Sequence, residues 1–235
     1  MSERLVLGSP IDGLLDRLYA RHVAQNESMA TYFTARAAEG SLDWNRFDER
    51  TNEFLRDKLV ALDRDKAEFC YHVCRALRAR RVVEAGTSFG VSTLFLAAAV
   101  RDTLRREAQG VSRHSGVVIG TEYEPEKART ARGHFAEAGL ADLIDLREGD
   151  LRETLVDVGG PIDFMLVDIW TPMAQPALSL IAPQLREGAV VICDNTLQFR
   201  EAYGEYFEFV RDPRNGLRTM TLPFEGGLEF TVRAQ

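Results

Sequence analysis

From residue 81 onward, short apolar runs alternate with helical stretches, and this alternation constrains the fold more than any other feature of the chain. Each apolar run has the length of a strand, and the stretches between them repeat apolar residues at helical spacing. Strands that alternate with helices predict a parallel sheet covered by helices on both faces. Five such strands are predicted, at RVVEAG (81–86), GVVIGTEY (116–123), LIDLREGD (143–150), IDFMLVDI (162–169) and AVVICDN (189–195).

Four helices and a closing hairpin complete the predicted domain. The helices are expected at 91–108, 126–139, 176–188 and 200–212, and Gly188 is expected to close the third. The polar stretch 109–115 is interpreted as a surface loop. Two last strands, LRTMTLP (217–223) and LEFTVRA (228–234), are joined by FEGG and predict an antiparallel pair. The fold class is therefore α/β, with a seven-stranded, mostly parallel sheet and an antiparallel terminal hairpin.

The first third of the chain carries helical periodicity without strand-like runs. Helices are predicted at 11–23 and within 47–79, and a break near Asp63–Asp65 predicts that a new helix begins around Lys66. We therefore predict a helical N-terminal extension over residues 1–62 and a second domain over residues 63–235. The extension is interpreted as a lid or as a dimer surface, which makes a homodimer one expectation.

The composition excludes several classes of protein. Of 235 residues, 45% are hydrophobic and 28% are charged, which is typical of a globular protein with a core. A net charge of −7 argues against a nucleic-acid-binding surface, and no apolar run approaches the ~20 residues that cross a bilayer. Three cysteines without a CxxC pair indicate a reducing compartment, so we expect a cytoplasmic protein.

The first strand leads through a glycine turn into a helix, in VVEAGTSFGVST. Gly86 and Gly90 allow close backbone approach, and the N–H groups of the helix start favour negative charge. Their spacing does not match the G-x-G-x-x-G of dinucleotide-binding proteins, and the lysine of a phosphate-binding loop is missing. The remaining nucleotide class binds S-adenosylmethionine, which has no pyrophosphate. Candidate contacts to its methionine tail are Glu84, Gly86, Ser88, Gly90, Ser92 and Thr93; a plain turn with packing glycines is the alternative.

Acidic residues end the next two strands. Glu122 ends the second strand, where a carboxylate accepts hydrogen bonds from ribose hydroxyls in nucleotide-binding folds. Asp150 ends the third strand, where a carboxylate could accept from an adenine amino group. Each of these acids alone could be a solvated strand end. Together with Glu84, at one edge of the sheet, they favour a nucleoside site.

The fourth and fifth strands also end in oxygen-bearing side chains. Asp168 follows FMLV, and Asp194 and Asn195 follow VVIC. Two carboxylates and an amide oxygen suit Mg²⁺, which leaves its other positions to water or substrate. These three residues are therefore candidate metal ligands and catalytic residues, although Asp and Asn are also common in turns. Trp170 is a candidate contact of the cofactor or the substrate, with core packing as the alternative.

Together these motifs resemble the class I S-adenosylmethionine-dependent methyltransferases. VVEAGTSFGVST is similar to the family's first motif, TEYEPEK to its ribose-binding turn, and REGD to its adenine-binding turn. DFMLVDIWT and EGAVVICDN resemble the metal-binding strand ends of its metal-dependent small-molecule O-methyltransferases, the catechol and caffeoyl-CoA type, and LPFEGGLEFTVR resembles their final hairpin. The resemblance covers residues 60 to 235 and implies a Rossmann-like, doubly wound sheet.

One residue departs from the enzymes that the chain resembles. They keep a lysine after the tryptophan as general base, whereas this chain has Thr171, and a hydroxyl is far too weakly basic at neutral pH. Either a bound metal alone acidifies the acceptor, or another group acts as base, with His22, His134, Tyr203 and Glu201 as candidates. Lys66 resembles a family lysine in the helix before the first strand, but nothing in the sequence places it at the acceptor. Pro172 and Pro176 argue against a helix that starts close to Asp168.

The resemblance implies methyl transfer from S-adenosylmethionine to a hydroxyl oxygen of a small molecule, catechol-like or a natural-product intermediate. It also implies Mg²⁺ or another divalent metal. N-methyl transfer or metal-independent transfer is the first alternative. A non-catalytic S-adenosylmethionine-binding module and an NAD-dependent dehydrogenase are less favoured, and the Gly86–Gly90 spacing argues against the dehydrogenase.

Overall fold

A seven-stranded sheet forms the centre of the computed structural model, which describes residues 4–46, 48–107 and 115–234. The strand order is β3–β2–β1–β4–β5–β7–β6. Pairing is parallel from β3 through β5, and β7 pairs antiparallel with both β5 and β6. The strands are β1 Arg81–Ala85, β2 Val117–Glu122, β3 Ile144–Glu148, β4 Ile162–Val167, β5 Leu185–Asp194, β6 Leu217–Leu222 and β7 Leu228–Arg233.

Helices cover both faces of this sheet and precede it. Within the described residues, four of them precede β1, and the other five each follow one of the strands β1 to β5. The helices are α1 Ile11–Ala24, α2 Asn26–Ala38, α3 Glu49–Leu55, α4 Arg64–Leu77, α5 Val91–Glu107, α6 Pro125–Glu137, α7 Leu151–Thr154, α8 Thr171–Ile181 and α9 Gly204–Arg211. None of the helices in the described residues is long and apolar enough to span a bilayer.

The predicted fold class is confirmed, with seven strands, a parallel majority and the terminal antiparallel hairpin. The predicted break before Lys66 is also confirmed, because α4 begins at Arg64 after Asp63. The helix predicted at 200–212 is shorter and begins at Gly204. The loop predicted at 109–115 lies, except for Ser115, outside the described residues.

The helix predicted at 176–188 is wrong at both ends. It begins at Thr171, because Pro172 falls in the first turn, where its missing N–H costs nothing. It ends at Ile181, since Pro183 has no N–H with which to continue the helix. The chain then enters β5 at Leu185, so Gly188 lies inside a strand and does not close a helix.

Each face of the sheet has its own buried core. In β4, Phe164 and Leu166 belong to the core beneath the α4, α5 and α6 side, and Met165 belongs to the core beneath the α7, α8 and α9 side. This alternation is the two-residue period of a strand buried on both faces. Leu14 and Leu18 of α1 join the first core, where α1 packs against α5 and α6. The domain boundary at residue 62 remains a prediction.

The strand order reverses between β1 and β4. From β1 the chain moves outward through β2 and β3, and from β4 it moves the other way through β5. In open α/β sheets, ligands bind beyond the carboxyl ends of the strands at such a switch point. The glycine turn follows β1 and Asp168 follows β4, so both lie at this crevice.

Candidate functional site

The glycine turn after β1 brings two strand ends together. Gly86 has a φ of +98°, and a Cβ there would lie 2.0 Å from the backbone oxygen of Asp168. The Asp168 N–H donates to the Ala85 oxygen at 3.0 Å. Gly90 has a φ of +86°, and its Cβ would lie 2.4 Å from the ring of Phe135 in α6. The lack of a side chain at Gly86 therefore allows the close approach of the end of β4, and the lack of one at Gly90 allows α6 to pack against the turn.

Glu84 supports the turn from beneath. Its carboxylate is fully buried, and it accepts hydrogen bonds from the hydroxyls of Thr87 and Thr93. Burial raises the pKa of Glu84, and the hydroxyls of Ser92, Thr93 and Thr87 oppose that shift. One carboxylate oxygen, Oε1, has no hydrogen-bond partner in the described residues. The predicted contacts Glu84 and Ser92 thus lie together under the turn.

The turn is also tied to the end of β2. The Ser88 N–H donates to Glu122 Oε2 at 2.7 Å, and the Glu124 N–H donates to Oε1 at 2.8 Å. Burial raises the pKa of Glu122. Ser88 has a φ of +50°, and its hydroxyl is buried without a partner in the described residues. The structure therefore brings Ser88 and Glu122 into direct contact.

Asp150 takes part in a local cap. Its side chain accepts from the N–H of Arg152 at 2.9 Å, and its carboxylate forms an ion pair with the Arg152 guanidinium. The Gly149 N–H donates to the Glu122 backbone oxygen, which keeps this turn beside the end of β2. Asp150 thus lies at the predicted edge of the sheet. The interaction that the structure shows for its side chain is the cap on the first turn of α7.

Asp168 is the free carboxylate of the site. It follows β4, is half-buried, and its side chain makes no hydrogen bond or ion pair within the described residues. Burial and the negative charges of Asp194 and Glu84 hold the pKa of Asp168 well above its ordinary value, while Lys66 acts in the opposite direction. A cation brought to Asp168 would relieve this repulsion.

Asp194, at the end of β5, already has a cationic partner. The Lys66 Nζ lies 2.8 Å from Asp194 Oδ1 and 2.9 Å from Asp63 Oδ2. The Lys66 side chain is only 1% exposed. Burial disfavours its charge, but Asp194 and Asp63 outweigh burial and raise the pKa of Lys66, so the ammonium stays protonated at neutral pH. A protonated Lys66 cannot accept a proton, so it cannot serve as the general base that the resemblance implies.

Sequence reasoning missed the position of Lys66, although a signal was present. Lys66 precedes Cys70 and Cys74 at intervals of four residues in α4, and both cysteines are fully buried. Residues four apart share one face of a helix. The spacing therefore places Lys66 on the face that packs against the sheet, where a charged side chain needs an acidic partner.

Asn195 is held beside Asp194 by the terminal hairpin. Its backbone N–H donates to Asp194 Oδ1 at 2.8 Å, and its side-chain amide donates to Oδ2 at 3.1 Å. Asn195 has a φ of +58°, a conformation that Asn tolerates better than most residues. The next N–H groups, of Thr196 and Leu197, donate to Gly227 and Gly226 in the β6–β7 turn. The hairpin thus fixes the backbone around this candidate ligand.

Aromatic side chains border the same edge. The Trp44 ring lies 4.4 Å from that of Phe199 and 6.0 Å from that of Trp170, measured between centroids. Thr171 begins α8, and its hydroxyl donates a hydrogen bond to the backbone oxygen of Trp44. The N-terminal segment therefore reaches the carboxyl end of β4, and Thr171 holds it there.

The four candidate bases lie in different surroundings. The rings of His22 and His134 contact the backbone oxygens of Leu59 and Phe89, each through Nδ1. Tyr203 is buried, and burial holds the pKa of its hydroxyl well above the ordinary value. Glu201 is exposed in the turn before α9.

The predicted metal ligands offer a small donor set. Within the described residues, no group of three or more His, Cys, Asp or Glu side chains could hold a metal ion. Asp168 and Asp194 supply two carboxylates at neighbouring strand ends, and Asn195 adds an amide. Because Mg²⁺ accepts one or two carboxylates and keeps several waters, this set fits a partly hydrated ion.

The chain is similar in sequence to known methyltransferases. Residues 83–196 match the family described as "Methyltransferase domain". A catechol O-methyltransferase of Mycobacterium tuberculosis is 30% identical over 140 residues, which are 59% of this chain and 58% of that relative's length. The chain therefore matches little more than half of that relative.

Solved structures show the same fold. The O-methyltransferase TomG from Streptomyces achromogenes, solved with S-adenosylmethionine (SAM), superposes with a TM-score of 0.64 and 21% identity, over 81% of this chain and 92% of that one. An O-methyltransferase from Bacillus cereus, solved in complex with SAH, gives 0.63 and 20% identity, over 78% and 87%.

Proposed function

We propose that this chain contains a class I S-adenosylmethionine-dependent methyltransferase domain, and that it transfers a methyl group from S-adenosylmethionine to a hydroxyl oxygen of a small molecule. The match of residues 83–196 to a methyltransferase domain and the similarity to a catechol O-methyltransferase support this proposal. The observation that supports the proposal is that two different binding edges lie at the same switch point of the sheet. A nucleoside-type edge, built from Ser88 and Glu122, lies beside a carboxylate edge, built from Asp168 and Asp194. This arrangement suits methyl transfer to oxygen, because the donor and the acceptor must be held next to each other.

We assign the cofactor to the edge formed by β1, β2 and β3. Glu122 accepts from the ribose hydroxyls, and its existing bond from the Ser88 N–H keeps it in position. Asp150 borders the adenine, and Trp170 with Asp168 borders the methyl group. The methionine tail lies on the turn, against Gly86, Ser88, Gly90, Ser92 and Glu84, where the Ser88 hydroxyl and Glu84 Oε1 lack other partners in the described residues.

We assign the acceptor to the edge formed by β4 and β5, together with a divalent cation held by Asp168, Asp194 and Asn195. The support is the free Asp168 carboxylate and the repulsion that Asp194 adds to it. Mg²⁺ bound there would lower the pKa of a coordinated hydroxyl, as metals do for bound water. This chemistry removes the need for a lysine at position 171. Trp44, Trp170 and Phe199 would flank the acceptor and exclude water.

The test measures transfer and cofactor binding separately. Purified protein with S-adenosylmethionine, Mg²⁺ and a panel of catechols, other phenols and amines is assayed by mass spectrometry for methylated product. We expect O-methylation that is lost in excess chelator and lost in Asp168→Ala and Asp194→Ala, because both variants remove a cation ligand. Calorimetry is expected to show that S-adenosylmethionine still binds the Asp168→Ala variant.

The control for these variants is Asp145→Asn, which changes an exposed carboxylate of β3 that pairs with Arg147. It is expected to keep full activity. Activity that persists in chelator and in both alanine variants would contradict the metal assignment. Methylated amines as the main product would favour N-methyl transfer, and cofactor binding without any product would favour the non-catalytic module.

Three coarser proposals complete the assignment. The three cysteines are free and buried, which supports a reducing compartment and hence the cytoplasm. Residues 1–62 are proposed as an extension that covers the acceptor edge, with support from the Trp44 contacts. We also propose that this extension forms the interface of a homodimer. Light scattering after size exclusion would contradict the homodimer if it showed a mass near 26 kDa, the mass of one chain.

A further inference from the structure

A buried ammonium group lies inside the carboxylate cluster of the proposed acceptor site. Lys66 extends from the first turn of α4 to the end of β5, where its Nζ contacts Asp194 Oδ1 at 2.8 Å and Asp63 Oδ2 at 2.9 Å. Its side chain is 1% exposed and that of Asp194 is 5% exposed. A contact between opposite charges so far from water is both strong and costly to break from one side.

The ammonium restricts how Asp194 can meet another cation. Asp194 Oδ1 accepts from Lys66 and from the Asn195 backbone N–H, and Oδ2 accepts from the Asn195 side-chain amide at 3.1 Å. Asp168 has no such partner in the part of the chain that the structure describes. The two acids are therefore unequal, since one is already neutralised and the other is free.

We propose that Lys66 is a built-in cation that occupies part of the divalent-ion site and sets its affinity. Because Lys66 holds Asp194 Oδ1, an incoming ion would have three ligands left in this cluster. They are Asp168, Oδ2 of Asp194, and Asn195 after its side-chain amide rotates. The positive charge of Lys66 also repels that ion. Lys66 is thus a positioning residue that keeps the two acids folded together in the absence of metal and weakens metal binding. The proposal rests on the metal assignment made above.

The test measures ion affinity and not methyl transfer. Mn²⁺ binding to the full chain is followed by electron paramagnetic resonance of the free ion, in metal-free buffer without cofactor. Lys66→Met is expected to bind Mn²⁺ about tenfold more tightly than the unchanged protein, because a like charge is gone and a carboxylate oxygen is released. Lys66→Arg keeps the charge and is expected to show no such gain.

A second readout uses thermal unfolding. Without metal, Lys66→Met is expected to unfold at a lower temperature, since Asp194 is left buried without its partner. Saturating Mn²⁺ is expected to raise its Tm by more than it raises that of the unchanged protein, because the ion supplies the missing charge. Lys58→Met is the matched control, since Lys58 pairs with Asp57 away from this cluster. It is expected to change neither the Mn²⁺ affinity nor the Mn²⁺-dependent rise in Tm.

Two results would overturn the proposal. One is equal or weaker Mn²⁺ binding by Lys66→Met, and the other is a gain in affinity shared by Lys66→Arg. If Lys66→Met does not fold, Lys66→Gln is measured in the same way, and the same results decide. Transfer activity in chelator would count against the metal assignment, whereas unchanged Mn²⁺ affinity in the Lys66 variants would count against the role of Lys66 alone.

Discussion

The hydroxyl of Thr171 donates a hydrogen bond to the backbone oxygen of Trp44, across 127 positions of the chain. Thr171 is 6% exposed, and the ring of Trp44 packs against those of Trp170 and Phe199. The position where the resembling enzymes keep a basic lysine is therefore used here to attach the N-terminal segment to the carboxyl end of β4. Where the resemblance in sequence implied a general base, the structure shows a contact between two distant segments.

Thr171→Val should loosen the N-terminal segment. Valine keeps the shape of threonine but cannot donate, so the Trp44 oxygen loses its partner at a buried position. We expect a loss of about 1 kcal/mol in the free energy of unfolding, measured by urea denaturation, together with a higher KM for the acceptor. Thr171→Ser keeps the hydroxyl and should preserve both values. Equal stability of the valine variant and the unchanged protein would show that the contact contributes nothing.

Gly86→Ala should damage the switch point. A methyl group there would lie 2.0 Å from the Asp168 backbone oxygen, and alanine also resists a φ of +98°. We expect a loss of at least about 2 kcal/mol in the free energy of unfolding. Gly133→Ala is the matched control, because no heavy atom lies within 4 Å of its Cβ position in α6. That control should gain about 0.5–1 kcal/mol, since alanine favours a helix over glycine.

Glu122→Gln should weaken cofactor binding before it affects the acceptor. Glu122 accepts from the Ser88 and Glu124 N–H groups, and a neutral amide accepts more weakly than a carboxylate. We expect the Kd for S-adenosylmethionine, measured by calorimetry, to rise about tenfold, which is a loss of about 1.4 kcal/mol. Glu126→Gln, at an exposed position of α6, should leave the Kd unchanged. An unaltered Kd in Glu122→Gln would remove Glu122 from the ribose site.

Acid should selectively destabilise the N-terminal helices through Asp48. A hydrogen bond from Thr51 and the guanidinium of the buried Arg36 lower the pKa of Asp48, while partial burial opposes them. A lowered pKa in the folded state means that the stabilisation is present above the ordinary value of 3.8 and is lost as the pH falls through the folded value.

Asp48→Asn isolates this contribution, because asparagine is as good a helix cap as aspartate but carries no charge. The variant should be less stable than the unchanged protein at pH 7, since Arg36 loses its counter-ion. The difference should shrink when both are denatured with urea at pH 3. A difference that stays constant between the two pH values would contradict the role of the Arg36–Asp48 pair.

The limits of sequence reasoning are clear in particular elements. The strands β1 to β4 fall inside their predicted ranges because each is an apolar run bounded by turn residues, which is a local signal. The sequence predicts β5 to begin too late, because LSLIAPQLREG has helical spacing although Pro183 ends the helix. The order of the strands, and so the switch point between β1 and β4, does not follow from any local pattern.

By itself, the sequence determined that this protein has an α/β sheet with acidic residues at the ends of its strands, because hydrophobic period and turn chemistry depend on neighbours along the chain. Only the tertiary structure decided what those residues contact. Lys66 lies on Asp194 and Thr171 lies on Trp44, while Asp168 is left free. Such pairs form between segments far apart in the chain, where packing around the sheet determines which charges and donors meet.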